Sequence, residues 1–206
     1  MTYIKWTFRL LVLALLAAFL SYVLPQRDIV RVVSTEVIRT DFTNYNRMFY
    51  AQADSGSAEA ATRDLRLINT VRYNGRVMVY RNEDTGWIWP PYFKFDSSDL
   101  QAEAEDLTST TEVPRWAVVT HYGWRIRYLT VYPNAIDIRP VADPEARLIP
   151  WFNIIFLTVL FAIGWAVTVR WRRFRARRIQ PRLDQIDSVF DEQRAGISRW
   201  FRSWRR

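Results

Sequence analysis

The sequence predicts a membrane α plus β protein: two transmembrane helices flanking a small, mostly antiparallel β domain, with an amphipathic helix at the C-terminus. Three observations predict it. Uncharged apolar runs occupy residues 10–26 and 148–169. The stretch between them alternates in polarity as half-buried strands do. The formal net charge of +8 is concentrated at one end: residues 150–206 carry 12 Arg against four acids, whereas residues 25–149 carry 15 basic and 17 acidic groups. A uniformly basic chain would point to nucleic acid; here the domain is neutral, and the Arg run stands directly beside an apolar run, a position that already accounts for it.

The first run has 17 residues between Arg9 and Arg27 and ends at Pro25. It is short for a span, but Trp6 and Phe8 extend it and Arg9 can snorkel. Lys5 and Arg9 also fit the positive region of a cleaved signal. The residues that close the run, from Phe19 to Leu24, offer no small-x-small cleavage site, which favours an uncleaved anchor.

Asp28 to Thr40 is dense in β-branched residues and reads as a long strand. Residues 65–73 alternate, with Leu65, Leu67, Val71 and Tyr73 on one face and Arg66, Thr70 and Arg72 on the other. Asn74-Gly75 then signals a hairpin with a type I′ turn into RVMVYR. Ser98 to Leu107 reads as a short helix, with Ser98 and Gln101 spaced as a capping box. Residues 115–122, 124–132 and 135–141 read as a three-strand meander. The expectation is five to seven strands in one small barrel or sandwich, with 41–64 containing a surface loop.

Leu148 to Val169 gives 22 uncharged residues, a helix of about 33 Å that covers a hydrocarbon core of about 30 Å. Pro150 suits its first turn, and Trp151 and Trp171 stand at its ends. The residues after it, RWRRFRARR, hold Arg170, Arg172, Arg173, Arg175, Arg177 and Arg178, a strong positive-inside signal. The expected layout is a cytoplasmic N-terminus at 1–9, spans at 10–26 and 148–169, a periplasmic β-rich domain at 27–147 and a basic cytoplasmic tail at 170–206. The membrane would be the bacterial inner membrane. Beyond Pro181, apolar residues at helical spacing, ending in Trp200, Phe201 and Trp204, suit either anionic lipid headgroups or a partner's surface.

With no Cys and a single His in 206 residues, disulfides, thiol catalysis, Cys-based zinc and multi-His metal centres are excluded. No nucleotide, hydrolase or metalloprotease motif is present. No cofactor, metal or catalytic residue is therefore expected. His121, on a strand face with Ala117 and Val119, reads as structural, and Glu83-Asp84 as solvated. The densest signal is Trp87, Trp89, Tyr92, Phe93 and Phe95 around Pro90-Pro91. These rings either form a platform for a peptide or lipid headgroup, fill the core, or pack on the bilayer surface.

The strings YRNEDTG, PPYFKFDS and DLQAEA, followed by HYGWRIRYLTVYPN, resemble a proteobacterial envelope family, domain-of-unknown-function family 1523, over roughly residues 28–141 and the first span. The resemblance implies an inner-membrane protein and brings no activity or site residues with it. The functional expectation is a non-enzymatic accessory, assembly or scaffold subunit of a larger inner-membrane complex, such as a respiratory or photosynthetic one. It would associate with an integral-membrane partner or a second copy of itself. The alternative is a periplasmic sensor or binding module using the aromatics at 87–95.

Overall fold

The computed structural model describes residues 2–41, 49, 62–87 and 89–181. It divides into two compact units, Met1–Pro150 and Trp151–Arg206. The first unit begins with helix α1, Thr2–Val23, which starts eight residues before the uncharged run and carries Trp6, Phe8 and Arg9 on its first turns. After Leu24 and Pro25 the chain enters strand β1, Gln26–Asp41. Then come β2 (Thr62–Arg72), β3 (Val77–Arg81), helix α2 (Ser97–Asp106), β4 (Trp116–Tyr122) and β5 (Asn134–Val141).

The five strands close into a barrel in the order β1-β2-β3-β5-β4. Closure depends on β1, whose residues 26–31 pair with β4 while residues 30–41 pair with β2. A register shift between Val32 and Ser34 bends the strand between its two partners, which is what a bulge does. All pairings are antiparallel except β3 with β5. This connectivity, with a helix between β3 and β4, is that of the five-stranded OB barrel. A fold of this kind hosts many activities and assigns none.

The barrel interior is filled by Val30, Val32, Ile68, Tyr80, Ala117, Val119, Ala135 and Ile138. Helix α2 closes it with Leu100, Ala104 and Leu107, one helical stripe at steps of four and three. Its N-cap is Asp96, whose carboxylate accepts from the Ser98 amide at 2.8 Å. The capping box at Ser98 and Gln101 does not form, because Gln101 instead accepts from Asn82 at 2.8 Å.

Three strand-level expectations change. In β2 the interior takes Ile68 and Thr70, the face read as polar. Arg66 and Arg72 leave that face at its ends for Ser97 and Asp28. Leu65 and Leu67 point the other way and are buried in a second cluster under Ile38, Phe49, Val79 and Tyr132. The β2–β3 turn is not type I′, since only Gly75 has positive φ (77°). The Gly75 amide donates to Arg72 O at 2.8 Å and Arg72 N donates to Arg76 O at 2.9 Å. This is a three-residue loop with glycine at the bulge position. Finally, residues 124–132 are no central strand. Ile126 and Val131 exchange backbone bonds of 3.1 and 3.0 Å around a 3₁₀ turn at Arg127–Leu129, so the segment is the β4–β5 loop.

The second unit opens with helix α3, Trp151–Phe174, directly after Pro150, and continues as a π-helical turn at Arg175–Ile179. Helices Tyr3–Val23 and Trp151–Ile179 are both long and apolar enough to cross a membrane, and neither is buried within its unit. The hydroxyls of Thr158 and Thr168 return to their own helix, at Ile154 O (2.7 Å) and Gly164 O (2.8 Å). The amphipathic stripe expected after Pro181 lies outside the described residues.

Candidate functional site

The chemistry of the first unit gathers at the barrel end where α1 stops. The last turn of α1 presents Ser21, Tyr22 and Val23 to the strand ends. Tyr22 O accepts from the Gly123 amide at 2.9 Å, which extends backbone pairing from the helix into the β4–β5 loop. Gly123 sits at φ +91°, with the Tyr22 ring and Pro133 Cα each 3.6 Å from where a Cβ would stand. Glycine is required there by backbone conformation. The Tyr22 ring packs edge-on against Trp124 (5.3 Å between centroids) and Tyr122 (6.3 Å) and touches Phe49 (6.0 Å). Trp124 Nε1 donates to Ser21 Oγ at 3.2 Å. The Tyr92 hydroxyl donates to Val23 O while its ring stacks on Tyr122 at 4.9 Å.

Below this joint is a buried polar layer built from the segment Arg81–Thr85. Arg81 and Glu83 are both buried, with Nε and Oε2 3.4 Å apart. The Asn134 side chain bridges the Glu83 backbone, accepting from its amide and donating to its carbonyl at 3.0 Å each. Lys94 donates from Nζ to Asn82 Oδ1 and, at 2.9 Å, to Ala135 O. Burial depresses its ammonium to about 8, although Asp84 and Glu83 pull the other way. Glu83, expected in solvent, is thus interior. Its carboxylate faces Arg81 at the end of β3 and its backbone is held by Asn134 of β5, so the buried polar groups meet partners.

A third constellation crosslinks four strands. The Asp28 carboxylate on β1 accepts from Arg72 on β2, from the Tyr80 hydroxyl on β3 at 2.6 Å, and faces His121 Nε2 on β4 at 3.1 Å. Burial alone would raise this carboxyl. The hydrogen bonds from His121 and Tyr80 and the charges of His121 and Arg72 outweigh burial and hold it at about 2. Tyr80 is pushed well up by burial and by Asp28. The geometry is that of an acid–base pair. Tyr80 and His121 are buried in the barrel, and through Asp28 the group ties four strands together. Among the described residues no cluster of three His, Asp or Glu could hold a metal.

The aromatic segment is largely exposed and not core. Trp87 and Trp89 are 80% and 63% exposed, and Phe93 and Phe95 52% and 55%. Trp89 lies flat against Phe19 of α1, with centroids 6.0 Å apart and planes 8° apart. Tyr92 is the member that turns inward.

A family model described as "Protein of unknown function (DUF1523)" matches residues 1–175. The chain belongs to this family. The match begins ahead of α1 and reaches through α3, beyond the 28–141 stretch that carries the sequence resemblance. An uncharacterized protein from Haemophilus influenzae is 38% identical over 154 residues, 70% of this chain and 83% of its own length. No solved structure gives a significant match.

In this DUF1523 member the structure brings Trp87, Trp89, Tyr92 and Phe93 together at the α1 end of the barrel. It places Arg170, Arg172 and Arg173 exposed at the end of α3, and Arg175, Arg177 and Arg178 exposed on the π turn. Trp200, Phe201 and Trp204 lie outside the described residues. Sequence reasoning missed Asp28, Lys94 and Asn134. Lys94 had one usable signal, an isolated charge among aromatic and proline residues.

Proposed function

We propose that the protein is a non-enzymatic accessory, assembly or scaffold subunit of a larger complex in the bacterial inner membrane. In this reading α1 and the helix Trp151–Ile179 are spans, both termini are cytoplasmic and the barrel is periplasmic. The observation that carries it is the joint between α1 and the barrel. Only Leu24 and Pro25 separate helix from strand, and Tyr22, Tyr92, Tyr122, Trp124 and Gly123 lock the two together. A subunit that must present surfaces at a fixed height and angle needs a rigid mount. The same joint favours an uncleaved α1, since cleavage would remove Tyr22 and Val23 from the barrel end.

The positive-inside arginines at 170–178 support the orientation, and their exposure suits anionic headgroups on the cytoplasmic face. The sensor alternative has less support, because the described rings are exposed and pack on one another and on α1.

The deciding experiment is a native pull-down of the C-terminally tagged full chain from its own membranes in mild detergent, read by mass spectrometry. A stoichiometric, salt-resistant partner is expected. A monodisperse monomer holding only lipid or a small molecule would refute the subunit reading. Tyr22→Ala combined with Tyr92→Phe should lower partner recovery without lowering membrane integration.

A further inference from the structure

The loop between Thr85 and Lys94 is clamped at its base. The amides of Thr85 and Gly86 both donate to Lys94 O at 3.0 Å, and Lys94 N donates to Thr85 Oγ1 at 3.2 Å. Lys94 is itself pinned to Asn82 and Ala135. Within the loop Phe93 adopts φ +54°, a left-handed conformation that a bulky residue holds only when its surroundings impose it. The result is an exposed display of rings held at a clamped base. Trp87 packs on Phe93 (5.3 Å) and Phe95 (5.7 Å), while Trp89 is laid along α1 against Phe19.

Clustered exposed aromatics mark an interaction surface. Their position names the occupant. Phe19 lies four residues before the last residue of α1, so Trp89 sits about 6 Å back along the helix from the point where the barrel begins. If α1 spans the bilayer, that depth falls in the headgroup zone, roughly 5–8 Å thick on each side, where Trp rings concentrate. The apolar surface of the loop is continuous with that of the helix.

On these grounds, and resting on the membrane reading above, we infer that Trp87, Trp89, Phe93 and Phe95 form a finger inserted into the phospholipid interface beside α1. It would be a second, non-helical anchor that sets the tilt of the barrel against the membrane.

The test uses the natural absence of cysteine. Single substitutions Trp89→Cys, Phe93→Cys, Leu13→Cys and Val77→Cys are spin-labelled in the full chain, which is reconstituted in phosphatidylcholine–phosphatidylglycerol vesicles. Collision with oxygen, which partitions into lipid, is compared with collision with a water-soluble nickel chelate. Labels at 89 and 93 should show an oxygen-to-nickel ratio several-fold above that at 77 and below that at 13. Ratios at 89 and 93 equal to that at 77, with position 13 in lipid, would overturn the finger and leave the span standing. A water-like position 13 would overturn the membrane reading on which the finger rests. Labels at 89 and 93 immobile and shielded from both reagents would assign the surface to a protein contact instead, again overturning it. Because the four labelled side chains are exposed, loss of folding does not confound the comparison.

Discussion

Replacing Asp28 by Asn removes the one charge that ties β1 to β2, β3 and β4 together. A carboxyl held at about 2 in the folded state and near 3.9 unfolded contributes about 2.5 kcal/mol at neutral pH. The side chain is only 20% exposed, so solvent screening leaves most of this in place. The sign follows from the depressed value. The contribution is complete above the unfolded pKa and is lost as pH falls from about 5 to about 2. The variant should therefore unfold roughly 10 °C lower at pH 7, taking about 4 °C per kcal/mol for a domain of this size. By about pH 3 roughly half of the gap should be gone, and below about pH 2 it should shrink to the cost of the poorer hydrogen bonds alone. The assay is thermal unfolding of the full chain in mild detergent across that pH range, wild type against Asp28→Asn. Two stability curves that remain parallel from pH 7 to 2.5 would show that the tie carries no net charge energy, and the electrostatic account of Asp28 would be wrong.

Three further outcomes follow from the same geometry. Lys94, depressed to about 8, binds its proton less well folded than unfolded, so wild-type stability should rise between about pH 8 and 10.5. Urea unfolding should show that rise vanish in Lys94→Met. Gly123→Ala forces an L-residue to φ +91° beside Tyr22, which should cost about 1–2 kcal/mol; a melting temperature unchanged within 1–2 °C, read on the ~4 °C per kcal/mol scale, would refute the strain argument. Deleting residues 179–206 should leave membrane integration intact, because Arg170 to Arg178 remain, while weakening partner recovery. Alkaline extraction and pull-down read the two effects separately.

The architecture was largely legible because it rests on patterns that local sequence carries. Apolar length gave the two helices, β-branching gave β1, and Leu100 to Leu107 gave α2. What escaped depends on closure. Alternation in β2 has two faces, and sequence cannot say which one a barrel encloses. Arg66 and Arg72 made that face look polar, yet both sit where the barrel ends and find Ser97 and Asp28. The stretch 124–132 alternates like a strand, but a 3₁₀ turn and the αL residue Thr130 fold it into a loop. Glu83 read as solvated because its partners, Arg81 and Asn134, belong to strands that meet only in the parallel β3–β5 pair. The aromatics at 87–95 were identified as a surface or a core, and only the stacking on Phe19 shows that they continue the helix outward.

The pairing of β1 with β4 also governs the order in which this chain can fold. Gln26 finds His121, 95 residues later, and β5 must follow before β4 has its second neighbour. As synthesis proceeds from the N-terminus, the first half of β1 waits unpaired until β4 has emerged, and the barrel is complete only with β5, which ends ten residues short of α3. An open, β-branched edge is a template for wrong partners, and contacts this distant in sequence form slowly. Completion of the barrel and arrival of the second long helix are therefore nearly simultaneous, and a chain stopped before Trp116 is left with its first strand half unpaired.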